Sequence, residues 1–274
     1  MKGNKVLTPE ALCRIALDAG ALIMDIYNTD FDVDRKDDAS PVTEADDKAE
    51  ALILAELSKL DPDLPVIAEE SVAAGNIPKH GHRFALVDPL DGTKEFINKR
   101  GEFTVNIAVV EYGRPVMGVV YAPALSRLFV AESHSQAWQA KVAPGGLVPD
   151  PHERKRLRIR VAPAAGVTAI ASKSHRSPET DAFLEQFTTA DIISAGSSLK
   201  FCLIASGEAD LYPRMGRTME WDTAAGQAVA EASGARVLTE DNLPLLYGKS
   251  HRGYDNPHFI VYGDVTPPAF RAAE

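Results

Sequence analysis

Across residues 143–156 the sequence is rich in Pro, Gly and charge, and the pattern of apolar residues differs on its two sides. Upstream, two amphipathic helices and then a run of strands are expected. Leu12, Ile15, Ala16, Ala19, Leu22, Ile23 and Ile26 recur at helical spacing over 8–27, with Thr8 as N-cap and Pro9 in the first turn. A second helix is expected over 45–60; Pro62 and Pro65 stop it before short apolar strands at 66–68 and 84–87. Residues 104–111 and 115–121 are β-rich and separated by Tyr112-Gly113-Arg114, which reads as a hairpin, and more strands are expected at 128–131 and 137–140. Downstream, strand and helix alternate: strand 168–171, helix 178–187, strand 192–194, helix 198–205, strand 211–212 and helix 223–233. The expected organisation is an α+β half over 1–156 followed by an α/β half over 157–274, with 143–156 an exposed loop near the boundary.

A chain of 274 residues can bury a large core, and 45% hydrophobic with 25% charged residues is ordinary globular usage. The formal net charge of −10 argues against a nucleic-acid backbone or an anionic membrane as partner, since either needs a basic surface. A small anionic substrate remains compatible with it if metals or a few local cations reverse the field inside a site. Cys13 and Cys202 have neither zinc-ligand spacing nor a disulfide framework around them, so both read as buried thiols. The first nine residues lack the basic start and apolar run of a signal peptide, and no apolar stretch is long enough to span a bilayer. A cytoplasmic location is the expectation.

The densest chemistry lies in Val87-Asp88-Pro89-Leu90-Asp91-Gly92-Thr93-Lys94-Glu95-Phe96. Two aspartates leave a hydrophobic strand three residues apart around a proline, and a Gly-Thr step then enters a helix start. Hard divalent cations take oxygen ligands, and Mg2+ is usually held by a few carboxylates together with substrate phosphate and water. Taken alone, such a turn could equally be aspartates capping the backbone. Its company changes the weighing. Ile67-Ala68-Glu69-Glu70-Ser71 places an acidic pair at the end of another buried strand, and Glu220-Trp221-Asp222-Thr223 places an aspartate at a helix start in the second half. Asp222 could be a plain N-cap, and Asp46 could cap the second helix or sit on its solvated face. Carboxylates gathered from the ends of separate elements repel one another unless a cation neutralises them.

Residues 40–46, 69–71, 88–96 and 221–226 together resemble the lithium-sensitive, magnesium-dependent phosphatases that include inositol monophosphatases and 3'(2'),5'-bisphosphate nucleotidases, in the right order over nearly the whole chain. The resemblance implies a layered α/β/α/β/α sandwich, the fold of inositol monophosphatases and fructose bisphosphatases, with the site between the two halves. It implies two or three Mg2+ ions held by Glu69, Asp88, the Leu90 carbonyl, Asp91 and Asp222. It further implies that Thr93 and Asp46 orient and deprotonate the attacking water and that the Gly92 and Thr93 amides hold phosphate. Lys36 matches the family's lysine ahead of the Ser-Pro step. A homodimer is compatible with the resemblance.

Within the family, Lys94-Glu95-Phe96 and Trp221-Asp222-Thr223-Ala224-Ala225-Gly226-Gln227 look like the bacterial bisphosphate nucleotidases of the CysQ type. Arg214 stands before Met215-Gly216 where inositol monophosphatases carry an acidic residue that accepts from inositol hydroxyls. An arginine suits a second phosphate and cannot replace that acceptor. His175, Ser197 and Lys200 fall in stretches that line the nucleotide pocket of such enzymes. The implied reaction is hydrolysis of 3'-phosphoadenosine 5'-phosphate, or of 3'-phosphoadenylyl sulfate, with release of inorganic phosphate. Glu69-Glu70-Ser71-Val72-Ala73-Ala74-Gly75 reads as much like an inositol monophosphatase, which is the alternative; a silent phosphate-binding regulator on the same scaffold is the alternative of another class. A dinucleotide-binding Gly-x-Gly-x-x-Gly turn and an NTPase phosphate loop are both absent.

Overall fold

The computed structural model describes residues 7–29, 34–35, 41–171 and 177–268. Helices α1 (Pro9–Tyr27) and α2 (Glu44–Leu60) flank a short antiparallel pair, β1 (Asp34–Arg35) and β2 (Pro41–Val42). Next come β3 (Val66–Ala68), α3 (Glu69–Ala73), β4 (Arg83–Asp91), α4 (Thr93–Ile97), β5 (Thr104–Glu111), β6 (Arg114–Ala122), β7 (Arg127–Ser133), β8 (Gln136–Lys141) and β9 (Lys155–Arg156). The second half contains β10 (Val167–Ile170), α5 (Pro178–Leu184), β11 (Thr189–Ile193), α6 (Leu199–Ala205), β12 (Leu211–Arg214), α7 (Glu220–Ala232), β13 (Arg236–Thr239) and β14 (Phe259–Tyr262).

Strands β3 to β9 form a seven-stranded sheet in chain order, parallel at β3/β4 and antiparallel elsewhere. The other sheet runs β11-β10-β12-β14-β13, with β14 antiparallel to both of its neighbours. Side chains alternate across a strand, and the apolar residues of β4 divide accordingly. Ala85 and Val87 pack with α1 and α2, whereas Phe84 and Leu86 join a second core containing α6, α7 and the inner face of the five-stranded sheet. On β14, Phe259 and Val261 face that shared core, while Ile260 and Tyr262 face Phe183 and Leu184 on the α5 side. The layers are therefore α1/α2, sheet, α6/α7, sheet, α5: the α/β/α/β/α sandwich.

The central position of α7 accounts for its composition. A helix between two sheets is buried all round: 220, 221, 223–230 and 232 are all buried, and the polar Glu220, Thr223 and Gln227 among them are hydrogen-bonded. It must also be thin. A Cβ on Gly118 of β6 would lie 2.8 Å from the Ala228 Cβ, and one on Gly226 would lie 2.7 Å from the Phe201 ring of α6. The Ala-Ala-Gly run after Asp222 is thus what lets α7 approach both neighbours.

Several expectations needed correction. Helix α7 starts at Glu220, three residues before the expected start, so Asp222 is its third residue and Met219 its N-cap. Met offers no capping oxygen, and Asp222 itself reaches back to the Met219 amide. Strand β4 runs on to Asp91, past the expected end at 87. Helix α5 ends at Leu184, short of 187. The segment 143–156 finishes in β9, which pairs with β8 and widens the first sheet. Strands β13 and β14 were not expected at all.

Candidate active site

The site begins with a register fault. On β5, Asn106 pairs with Asp88 and Thr104 with Asp91, so three steps along β4 match two along β5. That is a β-bulge, a device that re-aims side chains next to active sites. Pro89 has no N–H to give to the ladder, which suits it to the bulge. The Asp88 carboxylate accepts from the Leu90 amide at 3.0 Å, while the Leu90 side chain is buried on the α1/α2 side. Gly92, the N-cap of α4, has φ 95°, a left-handed conformation that favours glycine, and an added Cβ would meet the Glu102 carbonyl at 3.3 Å.

Three carboxylates converge on one point. Ligand oxygens of Glu69 at the start of α3, Asp88 on β4 and Asp222 on α7 all lie within 4.8 Å of one another. Burial pushes the Asp88 carboxyl well above the usual carboxylate range, and the charges of Glu69, Asp91, Asp222 and Asp46 push it further. Burial likewise raises Asp222, the charges of Asp91 and Glu69 add to the rise, and a hydrogen bond from the Met219 amide and the charge of Arg214 pull the other way. Asp91 stands outside the trio. Its Oδ2 accepts from Asn106 Nδ2 at 3.4 Å, and its carboxyl is raised to about 6 by burial, with Lys200 opposing and Glu69 adding to the rise. An all-oxygen, anionic, mutually repelling donor set fits a hard divalent cation such as Mg2+.

Beside the trio, Thr93 Oγ1 donates to Asp46 Oδ1 at 3.2 Å, with the Leu90 carbonyl at 3.4 Å as a second acceptor. Asp46 is 2% exposed, so it is not on a solvated face. Its other oxygen closes the capping box of α2, accepting from the Thr43 amide at 2.8 Å and the Thr43 hydroxyl at 2.7 Å. Capping and the contact with Thr93 coexist because they use different oxygens.

The second half supplies cations. Lys200 on α6 donates to the Ser197 carbonyl at 3.1 Å; burial pushes its ammonium below the ordinary lysine range, Asp91 opposes that shift and Arg214 adds to it. Arg214 closes β12, donating from Nη2 to the Arg217 carbonyl at 2.9 Å. Its Nε is buried and has no hydrogen-bond partner among the described residues. Ser197 adopts φ 43° and its hydroxyl accepts from Thr104 at 3.2 Å, tying the two halves together. The Gly196-Ser197-Ser198 step is not an open anion cradle: the Gly196 amide donates to Glu102 and the Ser198 hydroxyl donates to the Asp222 carbonyl. Lys36 and His175 lie outside the described residues.

Two supporting groups escaped the sequence reading. Asn106, fully buried, orients Asp91 and is itself held by Thr104 at 3.0 Å; an amide inside the apolar run of β5 was the available signal. Glu220, also fully buried, accepts from the Gly248 and Lys249 amides at 2.7 and 2.8 Å and from the Lys249 ammonium at 2.7 Å, which anchors the start of α7. No local signal marks it, since its partners lie 28 and 29 residues away.

Comparison with known proteins gives the same picture. A protein of Salmonella typhimurium described as 3'(2'),5'-bisphosphate nucleotidase CysQ is 46% identical over 254 residues, covering 92% of this chain and 98% of that one. Its Escherichia coli K12 counterpart, described in the same words, is 42% identical over the same span. A crystal structure of CysQ from Bacteroides thetaiotaomicron, described as a bacterial member of the inositol monophosphatase family, superposes with a TM-score of 0.77 at 39% identity, covering 93% of this chain and 97% of that one. An inositol monophosphatase from Anabaena shares the fold with a TM-score of 0.72 at 22% identity. The inositol monophosphatase family matches over residues 7–258, and with the carboxylate trio at the start of α3, on β4 and in the first turn of α7, the chain belongs to that family.

Proposed function

We propose that this protein is a Mg2+-dependent 3'(2'),5'-bisphosphate nucleotidase that hydrolyses 3'-phosphoadenosine 5'-phosphate to AMP and phosphate, and 3'-phosphoadenylyl sulfate by the same chemistry. Metal dependence is typical of the family, and Glu69, Asp88 and Asp222, with Asp91 and the Leu90 carbonyl beside them, are the groups that would hold two or three ions. Bound Mg2+ supplies positive charge to the phosphoryl oxygens and lowers the pKa of the attacking water. The rest falls to the protein. Thr93 donates its hydrogen bond to Asp46, which leaves its lone pairs free to accept a hydrogen bond from the attacking water and to relay that water's proton toward Asp46. Asp46 holds that geometry because Thr43 fixes its second oxygen. The Gly92 and Thr93 amides, at the start of α4, are the groups that would hold the phosphate.

The observation that carries the substrate reading is the buried, unpartnered Nε of Arg214. A buried donor without an acceptor is costly, and a guanidinium that turned to meet a second phosphate would gain a charge-assisted bond. Lys200 adds a further cation nearby. Two anionic groups on one substrate would then be met by the carboxylate-held metals and by the cations Arg214 and Lys200, with Ser197 proposed to border the nucleoside; His175 lies outside the described residues and its role rests on the resemblance alone. The identity with CysQ proteins supports this choice. The two free cysteines, Cys13 and Cys202, are both buried, which suits work in the cytoplasm on a soluble metabolite. Among the described residues no helix is long and apolar enough to cross a membrane. Phosphate release from 3'-phosphoadenosine 5'-phosphate and from inositol 1-phosphate, with Mg2+ and with chelator, tests the reading. Mg2+-dependent preference for the bisphosphate is expected, and faster turnover of inositol 1-phosphate would overturn it.

A further inference from the structure

Helix α3 opens without a capping side chain of its own. Its N-cap is Ala68, the last residue of β3, which is fully buried in the α1/α2 core and carries no acceptor. An N-cap oxygen ordinarily accepts from the second or third amide of its helix. Those amides belong to Glu70 and Ser71, and both donate to Glu50 of α2: Glu70 N to Oε2 at 2.7 Å and Ser71 N to Oε1 at 2.8 Å, with the Ser71 hydroxyl adding a third bond at 2.6 Å. Glu50 is 5% exposed. A carboxylate so buried is tolerated only when hydrogen-bonded throughout, and three donors meet that need. A polar residue at 68 could cap α3 only by leaving the buried strand, so the cap comes from a neighbouring helix instead.

The location of that cap is what gives it consequence. Glu69, the first residue of α3, contributes to the carboxylate trio with Asp88 and Asp222. Asp46 and Glu50 stand four residues apart on α2, one turn along the same face. The first receives the Thr93 hydroxyl; the second receives the start of α3. One face of one helix therefore touches both the group that orients the water and the peptide that carries a trio carboxylate.

We propose that Glu50 is a positioning residue for the metal centre: by capping α3 from α2 it holds Glu69 in register with Asp88 and Asp222. This rests on reading the trio as a Mg2+ site. Partners that orient metal ligands without touching the metal typically alter affinity by 10- to 100-fold when removed. The test is calorimetric titration of the full-length protein with Mg2+, together with melting temperature in chelator, for wild type, Glu50→Gln, Ser71→Ala and Asp210→Asn. The last weakens the ion pair between Arg160 and the buried Asp210, the residue before β12, and so lowers stability away from the site. Glu50→Gln is expected to weaken Mg2+ binding by about 10- to 100-fold and Ser71→Ala by several-fold, while Asp210→Asn melts earlier with unchanged affinity. If Glu50→Gln does not fold, Ser71→Ala carries the test, and wild-type affinity in it would overturn the proposal. Glu50→Gln that melts early yet binds Mg2+ like wild type would reduce Glu50 to a structural role. Wild type that takes up no Mg2+ would remove the metal centre itself, and the proposal with it.

Discussion

Around Asp88 the polar groups are anionic, buried and mutually repelling; around Arg214 they are cationic, and one buried donor has no partner. The first region draws on β3, β4, α2, α4 and the start of α7, and its carboxylates are locked by amides and side chains: Leu90 on Asp88, Met219 on Asp222, Asn106 on Asp91, Thr43 on Asp46. The second region draws on α6 and β12, where Lys200 donates to the Ser197 carbonyl and Arg214 to the Arg217 carbonyl. Rigid preorganisation is what stabilising charge in a transition state requires. In the proposed function the first region does the chemistry common to the family and the second selects the nucleotide. The segment Glu69-Glu70-Ser71-Val72-Ala73-Ala74-Gly75, which reads as much like an inositol monophosphatase as a nucleotidase, carries the trio carboxylate Glu69 and none of the cations of the second region.

The largest way to break this division is Asp91→Asn. Loss of a metal carboxylate removes several kcal/mol of transition-state stabilisation, so kcat/KM should fall by about 10^3-fold or more, equally for bisphosphate and monophosphate, with the melting temperature near wild type. Near-normal turnover by the folded variant would end the metal assignment. Thr93→Ala comes next: kcat should drop roughly 10^2-fold while KM holds, because its backbone amide is untouched; a rise in KM with constant kcat would make Thr93 a binding residue. Arg214→Ala should lower kcat/KM on the bisphosphate by roughly tenfold to a hundredfold, the size of a charge-assisted hydrogen bond. Adenosine 3'-phosphate, which lacks the second phosphate, should hardly notice; equal losses on both would place Arg214 in a structural role.

The smallest effect is thermal. Asp91 is raised to about 6, and Asp88 and Asp222 are raised as well, so in the metal-free folded state they bind more protons than in the unfolded chain. Stability from this source is full below the unfolded carboxylate pKa near 4 and is lost as pH rises through 6 and above. Mg2+ reverses the loss by binding the ionised forms. The melting-temperature gain from Mg2+ should therefore be slight at pH 5 and reach about 5–10 °C at pH 8 with Mg2+ at about a hundred times its Kd. A gain that is flat with pH would contradict the assignment of the trio.

Glu69 and Asp88 were legible in the sequence because each directly follows an apolar run, 66–68 and 84–87, and Asp91 because it stands three residues further on around a proline, a placement that packing does not explain. Asp222 was recognised as a residue but misplaced in its helix, since Met219 gives no capping signal and the true start is set by Glu220 binding a loop 28 residues on. Glu50 was invisible for the same reason: within α2 it looks like any solvated glutamate, and only the fold brings α3 to it. Strand β14 was missed despite an apolar run, Phe259-Ile260-Val261-Tyr262, because four residues do not distinguish a buried strand from a helix fragment. Arg214 showed its departure from the inositol-cleaving pattern in sequence, but its unpartnered Nε needed the structure.

The division of labour is tested most directly by combining Thr93→Ala with Arg214→Ala and measuring kcat/KM on 3'-phosphoadenosine 5'-phosphate. Sites that act independently have additive free energies to within about 0.5 kcal/mol. The double variant's loss should then equal the product of the two single losses to within about twofold. A double variant no worse than the poorer single, or a product missed by tenfold, would show that the two regions act as one and contradict the account.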